Sequence, residues 1–398
     1  MPSINPEILV WAREAAGLSI DEAVAKLGVN EARGIAAADR LRALETGRGA
    51  PSRALLLKMA KVYRRPLLTF YMSAPPRRGD RGQDFRTLPE RQTNAEPLVD
   101  ALIRDIRARQ SMVRAILVDE EEVAPLQFVG SMTMEDGVGA VLASIRQTLT
   151  FDLAGFRAQG SADAAFSLLR AKVEAAGVFV LLVGNLGSHH SALDVKAFRG
   201  FALADPIAPF VVINDQDAKA AWSFTLLHEL AHLWLGATGV SGRFAEGQVE
   251  RFCNDVASHF LLPNTELELV GVNRRSDRQA AALAISRFAE DRLLSRTMVA
   301  YRLFRAGALS GASWQELSEQ FESEWRQNRA GQRERNRDLD GGPNYYVIRR
   351  HRLGFALLRF VARNMSEGSL TPTKAAKGLG VKARSVQPLL SGAALSVG

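Results

Sequence analysis

The apolar segment FTLLHELAHLWLG, residues 224–236, contains two histidines four positions apart, His228 and His232. The surrounding run, residues 217–235, is free of Pro and Gly, so it is predicted to be one helix. Residues four apart lie on the same side of a helix, so both imidazoles can bind one metal ion. The alternative is that the HExxH pattern arises by chance and that both residues are ordinary core or surface histidines. The apolar context argues against it, because a buried histidine needs a polar partner.

Glu229 follows the first of these histidines directly. A carboxylate at this position can take a proton from a water that the metal activates. Zinc is the predicted metal, because it lowers the pKa of a bound water towards neutrality and polarises a carbonyl group. Two imidazoles and a carboxylate also suit Mn²⁺ or Fe²⁺.

A catalytic zinc needs a third protein ligand, and the segment GQVERFCNDVASHFLLP, residues 247–263, supplies candidates on a second predicted helix. Glu250 and Asn254 are four apart and share a face, so Glu250 can be the ligand and Asn254 can support it. Glu246 competes for the ligand role. The alternative for Glu250 is a solvated carboxylate at a helix start.

Other histidines and the single cysteine are given structural roles. His259 lies nine residues after Glu250, on the opposite side of the helix, and is excluded as a ligand. Cys253 is interpreted as a small packing residue rather than a soft ligand or a nucleophile. His189 and His190 are predicted to form a surface pair in a loop.

The remaining chain predicts an α+β fold that is mostly helical. Buried strands are expected at 177–183 and 209–214, with a further strand within 195–204. A long helix is expected at about 95–118. The chain is predicted to be helical again from residue 280, with a break at the Arg-rich stretch 326–344.

Composition indicates an intracellular protein. The chain has 398 residues with a single cysteine, which excludes an internal disulfide framework. Its apolar stretches are too short to span a bilayer, and acidic residues interrupt the N-terminus where a signal peptide has its apolar run. We therefore expect a cytoplasmic location and no membrane partner.

Charge is distributed unevenly along the chain. Residues 1–80 carry 13 Lys and Arg against 8 Asp and Glu, and residues 326–398 carry 14 against 4. Basic ends around an acidic centre suggest contact with a polyanion, with nucleic acid the first candidate. Solvated helix faces are the alternative.

The motifs HELAHL and ERFCNDVASHFLLP resemble the ImmA/IrrE family of zinc metallopeptidases. The preceding segment 200–229 fits this resemblance, with a strand that ends in Asn and a short loop into the HExxH helix. Residues 84–86, Asp-Phe-Arg, are similar to a motif that links the two domains of fused members. The resemblance implies a zincin-like core in which His228, His232 and Glu250 bind zinc and Glu229 is the general base. The segment VASHFLLP departs from the family pattern.

Residues 6–72 resemble the Xre/Cro-type helix-turn-helix that many of these peptidases carry. Five arginines are available there for contacts with DNA: Arg33, Arg40, Arg42, Arg48 and Arg53. The segment between the second and third helices, residues 29–40, is longer than usual. Docking of a protein partner is the alternative use of this bundle.

Residues 369–390 also have a helix, a Gly-containing turn and another helix. Lys374, Lys377, Lys382 and Arg384 are available there. Two short helices with a glycine turn are common, so this pattern is weakly specific.

The predicted domains are a helix-turn-helix domain at 1–72, a linker at 73–94, a metallopeptidase domain at 95–310 and a basic helical region at 311–398. The resemblance implies an endopeptidase that cleaves a repressor or antitoxin and so switches on stress, phage or mobile-element genes. One alternative is a transcriptional regulator whose peptidase-like core senses a ligand or is structural. Another is an antitoxin-type interaction module.

Overall fold

The computed structural model describes residues 4–76, 96–119, 123–186, 191–237, 239–241, 247–337 and 344–391. The chain forms two compact units, Met1–Asp105 and Ile106–Gly398. Within the described ranges, no helix is long and apolar enough to cross a membrane. The domain boundaries given above stay predictions. The residues 84–86, the pair 189–190 and Glu246 lie outside the described part of the chain.

Helices dominate both units. The α-helices are α1 (Pro6–Glu14), α2 (Ile20–Leu27), α3 (Ala37–Glu45), α4 (Arg53–Val62), α5 (Glu96–Asp119), α6 (Gly137–Leu149), α7 (Leu153–Arg157), α8 (Ala162–Ala175), α9 (Lys219–Trp234), α10 (Gln248–Leu261), α11 (Arg278–Asp291), α12 (Arg296–Arg305), α13 (Gly311–Arg337), α14 (Tyr345–Leu353), α15 (Phe355–Ser366), α16 (Pro372–Leu379) and α17 (Val386–Leu390). Short 3-10 helices lie at Leu67–Tyr71, Met134–Asp136, Asn264–Val270 and Ala383–Ser385. The strands are β1 (Phe179–Leu182), β2 (Gly200–Leu203), β3 (Phe210–Ile213) and β4 (Gly239–Ser241).

The first unit is a small helical bundle around one apolar core. The cap of α2 is the reciprocal one that its sequence predicts, in which Ser19 and Glu22 satisfy each other's backbone amides. Arg13 of α1 donates to Glu45 of α3 at 2.8 Å, which ties these two helices together. The fully or nearly buried core residues are Ile8, Leu9, Ala12, Leu18, Ala23, Leu27, Leu41, Leu56, Met59, Tyr63 and Phe70.

The long segment between α2 and α3 forms a tight turn. Ala32 and Ile35 pair in an antiparallel bridge. Arg33 and Gly34 between them have φ values of 55° and 72°, and a two-residue type I′ turn requires this left-handed conformation at both positions. The third helix therefore begins only after this turn.

The second unit contains a four-stranded sheet with the order β1-β3-β2-β4. β1 is parallel to β3, whereas β2 is antiparallel to both β3 and β4. Each residue of β1, β2 and β3 is buried, which explains why these strands are continuous apolar runs in the sequence.

The turn from β3 into α9 is fixed by Asn214, which is fully buried. Its side-chain amide donates to the carbonyls of Leu193 and Phe198, at 3.2 and 3.0 Å. Its side-chain oxygen accepts from the backbone amide of Gln216 at 3.0 Å. α9 then packs against β2, β3, α8 and α10, so it is enclosed by protein around most of its circumference.

The C-terminal helices pack on the same unit. α14 and α15 lie against β1, at one edge of the sheet. Arg352 of α14 forms an ion pair with Asp215 in the turn before α9, at 2.5 Å. Arg329 of α13 donates to both the backbone and the side chain of Gln216 in the same turn.

The predicted fold class, α+β and mostly helical, is confirmed. The expected strands correspond to β1, β3 and β2. One expectation is wrong, because α13 runs without interruption to Arg337 through the first part of the stretch 326–344. This part is rich in good helix formers and is joined to the preceding turn by a pair between Arg326 and Glu322, four residues apart, at 3.1 Å. Pro66 precedes the 3-10 helix Leu67–Tyr71.

Candidate metal centre

The two histidines of α9 converge as their spacing predicts. His228 and His232 are only 3% and 2% exposed, and their Nε2 atoms lie 3.1 Å apart. α9 contains no Pro or Gly and is buried on nearly all sides, so both imidazoles have fixed surroundings. The pair is therefore held in one place inside the second unit.

Glu250 reaches the same point from the neighbouring helix. It lies in the first turn of α10, which packs on α9. Its two carboxylate oxygens lie 3.2 Å from the Nε2 atoms of His228 and His232. A carboxylate in a first helical turn is also stabilised by the helix dipole.

These three side chains fit a metal ion. Their donor atoms all lie within 4.8 Å of one another. Around a tetrahedral zinc with bonds of about 2.0–2.2 Å, two ligand atoms lie roughly 3.3–3.5 Å apart, close to the separations found here. Two imidazoles and one carboxylate also leave a fourth position open, as in catalytic zinc sites.

The electrostatics of the cluster favour a positive charge at its centre. Burial by itself would raise the pKa of Glu250, but hydrogen bonds with His228 and His232 lower it to about 2. Burial would likewise lower the pKa of His232, but its hydrogen bonds with Cys253 and Glu250 raise it well above the usual value. A proton and a metal cation compete for such nitrogens, so the same arrangement favours a bound cation.

Cys253 lies closer to this site than the sequence indicates. It is fully buried, as expected of a packing residue, and its thiol also interacts with His232. Burial raises the pKa of this thiol, which keeps it protonated. It therefore acts as a neutral neighbour of a histidine.

Glu229 is fully buried on α9, next to the first histidine. Its carboxylate lies against β2, where a Cβ added to Gly200 would approach Oε1 to 2.8 Å. The same Cβ would approach Cγ2 of Thr225 to 2.7 Å. The absence of a side chain at position 200 thus makes room for this carboxylate.

Two other residues singled out from the sequence, Asn254 and His259, lie on α10. Asn254 lies one turn after Glu250 and is half-buried, and its supporting role stays a prediction. His259 is outside the cluster, and its Nδ1 lies 2.7 Å from the carbonyl of Asp255.

The five arginines proposed to contact DNA are all exposed in the first unit: Arg33, Arg40, Arg42, Arg48 and Arg53. Two of them make contacts within the unit. Arg40 donates to the carbonyl of Asn30, and Arg42 pairs with Asp39 at 2.9 Å. Arg33, Arg48 and Arg53 therefore have the greater freedom to contact a ligand.

Sequence reasoning missed the roles of Cys253 and Gly200. Cys253 follows Glu250 by three residues, a spacing that places both on one face of α10. That spacing could have indicated its contact. Gly200 had no comparable signal, because its role depends on how closely β2 approaches α9.

Comparison with known proteins gives one family match. Among curated proteins and among solved structures, no match to this chain was found. Residues 185–304 match the Peptidase_M78 family, described as an IrrE N-terminal-like domain. The matched segment contains all three cluster residues and Glu229. The central part of this chain is thus similar to a metallopeptidase-like domain of the ImmA/IrrE type.

Proposed function

We propose that this protein is a zinc-dependent endopeptidase with an HExxH site. The observation that carries the proposal is the convergence of His228, His232 and Glu250 on one point. Glu229 lies next to His228 on α9. The match of residues 185–304 to a peptidase family supports it.

In the proposed reaction, three residues hold the ion and a fourth moves the proton. A divalent ion held by His228, His232 and Glu250 would polarise the substrate carbonyl and make a water easier to deprotonate. Glu229 takes a proton from the attacking water as its oxygen bonds to the carbonyl carbon. The C–N bond then breaks, and Glu229 returns the proton to the leaving amine. The products are a carboxylic acid and an amine.

The proposed substrate is a repressor or antitoxin, whose cleavage would switch on stress, phage or mobile-element genes. The first unit supports this proposal, because a basic helical bundle with exposed arginines suits contact with DNA. Binding near a DNA-bound repressor would bring the peptidase to its substrate.

The test is cleavage of repressor proteins encoded beside the gene, by the wild type and by Glu229→Gln. The amide keeps the shape of the side chain but cannot accept a proton, so cleavage should fall by roughly a hundred- to ten-thousand-fold. Bound zinc, measured by elemental analysis, should stay at the wild-type level, because Glu229 is outside the ligand cluster.

Glu250→Gln is the matched comparison. A neutral amide is a poor zinc ligand, so metal content and cleavage should fall together. Cleavage by Glu229→Gln at the wild-type rate would contradict the mechanism. It would favour the second candidate, a regulator whose metal-stabilised core is structural.

A further inference from the structure

Two helices at opposite ends of the sequence begin in the same way. α2 starts at Ser19, whose side chain accepts from the backbone amide of Glu22. α16 starts at Thr371, whose side chain accepts from the backbone amide of Lys374. Both helices have eight residues.

The same two helices also end in the same way. Gly28 and Gly380 have φ values of 64° and 60°, so both are left-handed caps that suit glycine. Val29 and Val381 then donate back into the helix that precedes them, at 3.1 and 2.9 Å. The local backbone of a helix-turn unit is therefore present twice.

The C-terminal copy has the shorter turn. After α16, the residues Gly380, Val381 and Lys382 form the turn, and the 3-10 helix Ala383–Ser385 leads directly into α17. A turn of three to four residues with a glycine is typical of DNA-binding helix-turn-helix motifs. In the first unit, by contrast, residues 28–36 separate the two helices.

Burial divides the C-terminal copy into an apolar side and a cationic side. The buried side consists of Ala375, Ala376, Leu379, Val386 and Leu389. The exposed charged side chains are Lys374, Lys377, Lys382 and Arg384. Residues 368–391 include no Asp or Glu, so the charged side chains that this segment exposes are all cationic.

Arginines of α14 bind the C-terminal ends of both helices of this segment. Arg349 donates to the carbonyls of Leu379 and Gly380, both at 2.9 Å. Arg350 donates to the carbonyl of Pro388 at 3.2 Å. These contacts come from α14, so the cationic face is presented on a fixed support.

We propose that residues 371–390 form a second helix-turn-helix, which binds duplex DNA through its phosphate backbone. The short glycine turn, the buried apolar side and the exposed cationic face carry this inference together. Lys382 lies in the turn and Arg384 in the 3-10 helix that precedes α17, next to the helix start through which this motif contacts DNA. The site is separate from the peptidase centre, so failure of the proposed cleavage would leave it standing.

The test measures binding of the full-length protein to a fluorescent DNA duplex of about 30 base pairs, which is roughly three helical turns. Fluorescence anisotropy is recorded over a series of salt concentrations. Lys382→Ala combined with Arg384→Ala should weaken binding by about tenfold or more near 0.1 M salt. It should also lower the slope of log affinity against log salt by roughly 2, because two phosphate contacts are lost.

The control removes two exposed arginines elsewhere on the second unit, by combining Arg275→Ala with Arg287→Ala. It loses the same charge and should bind DNA nearly as the wild type does. Lys374→Ala combined with Lys377→Ala tests the first helix independently. Equal affinities for the Lys382/Arg384 variant and the control would overturn the proposal. Polyglutamate serves as a protein-like polyanion for comparison. If the Lys382/Arg384 variant lost binding to polyglutamate but bound DNA as the wild type does, the proposal would be overturned in favour of protein docking.

Discussion

The carboxylate of Glu229 occupies space that a side chain at position 200 would fill. Gly200→Ala should therefore displace it and lower cleavage while the three ligand residues stay in place. Overpacking of this kind should cost about 1–3 kcal/mol of unfolding free energy. Thermal unfolding measures the loss of stability, elemental analysis tests whether the ligand residues still hold the metal, and a cleavage assay measures the activity.

Gly139→Ala in α6 is the matched control, because an added Cβ meets nothing within 4 Å there. In an exposed helix, this change should stabilise the protein by up to about 1 kcal/mol. Full activity of Gly200→Ala would contradict the positioning role of this glycine.

Removal of either histidine of the cluster should release the metal. His228→Ala and His232→Ala each delete one of three ligands, so both should lose bound zinc in elemental analysis. His259→Ala is the control, since that histidine lies on α10 but outside the cluster. Stoichiometric zinc in either cluster variant would refute the assignment.

The spacing of residues in the sequence is sufficient to predict much of this site. His228 and His232 follow from helical periodicity, because residues four apart on a helix share a face. Glu250 lies on a second helix, and its choice over Glu246 rests on the resemblance to the ImmA/IrrE family. Glu229 follows from its place beside a ligand. The roles of Cys253 and Gly200 do not follow, because each depends on packing between two separate elements.

At the scale of elements, a buried ion pair joins the sheet to the C-terminal helices. Arg170 and Glu174 on α8 pair at 3.1 Å with side chains that are 7% and 2% exposed. Arg170 donates to the carbonyl of His351 at 2.5 Å. Glu174 accepts from the backbone amides of Phe355 and Ala356, at 3.0 and 3.2 Å. One carboxylate thus caps the start of α15.

Glu174→Ala should destabilise the second unit by about 3–5 kcal/mol, because it leaves the Arg170 guanidinium buried without its counter-charge. Hydrogen exchange should become faster at the amides that begin α15. Glu316→Ala is the control, since its pair with Arg278 is exposed and should be worth less than about 1 kcal/mol. Equal losses in the two variants would contradict the capping role.

Sequence patterns predict elements well where one force dominates. Apolar runs predict β1 and β3, because strands buried on both faces are continuously apolar. The expected break at 326–344 is wrong for residues 326–337, because a polar, Arg-rich composition is compatible with a helix as well as with a loop. Residues 338–343 lie outside the described part of the chain. In α13, charged pairs along the helix stabilise a segment that has little core to bury.

At the scale of the whole molecule, the uneven charge leads to a prediction for the first unit. Arg48→Ala combined with Arg53→Ala should weaken binding of the same DNA duplex and lower its salt slope by roughly 2. The reason is that both side chains are exposed and can reach phosphates. Binding equal to that of the Arg275/Arg287 control would favour protein docking by this unit.

The turn before α9 has partners in α13 and α14. Its partners Arg329 and Arg352 lie beyond residue 304, where the match to the peptidase family ends. A deletion after that residue would remove these arginine partners of Gln216 and Asp215 and so disturb the entry into α9. The local structure at the start of α9 therefore depends on two helices that lie outside the segment matched to the peptidase family.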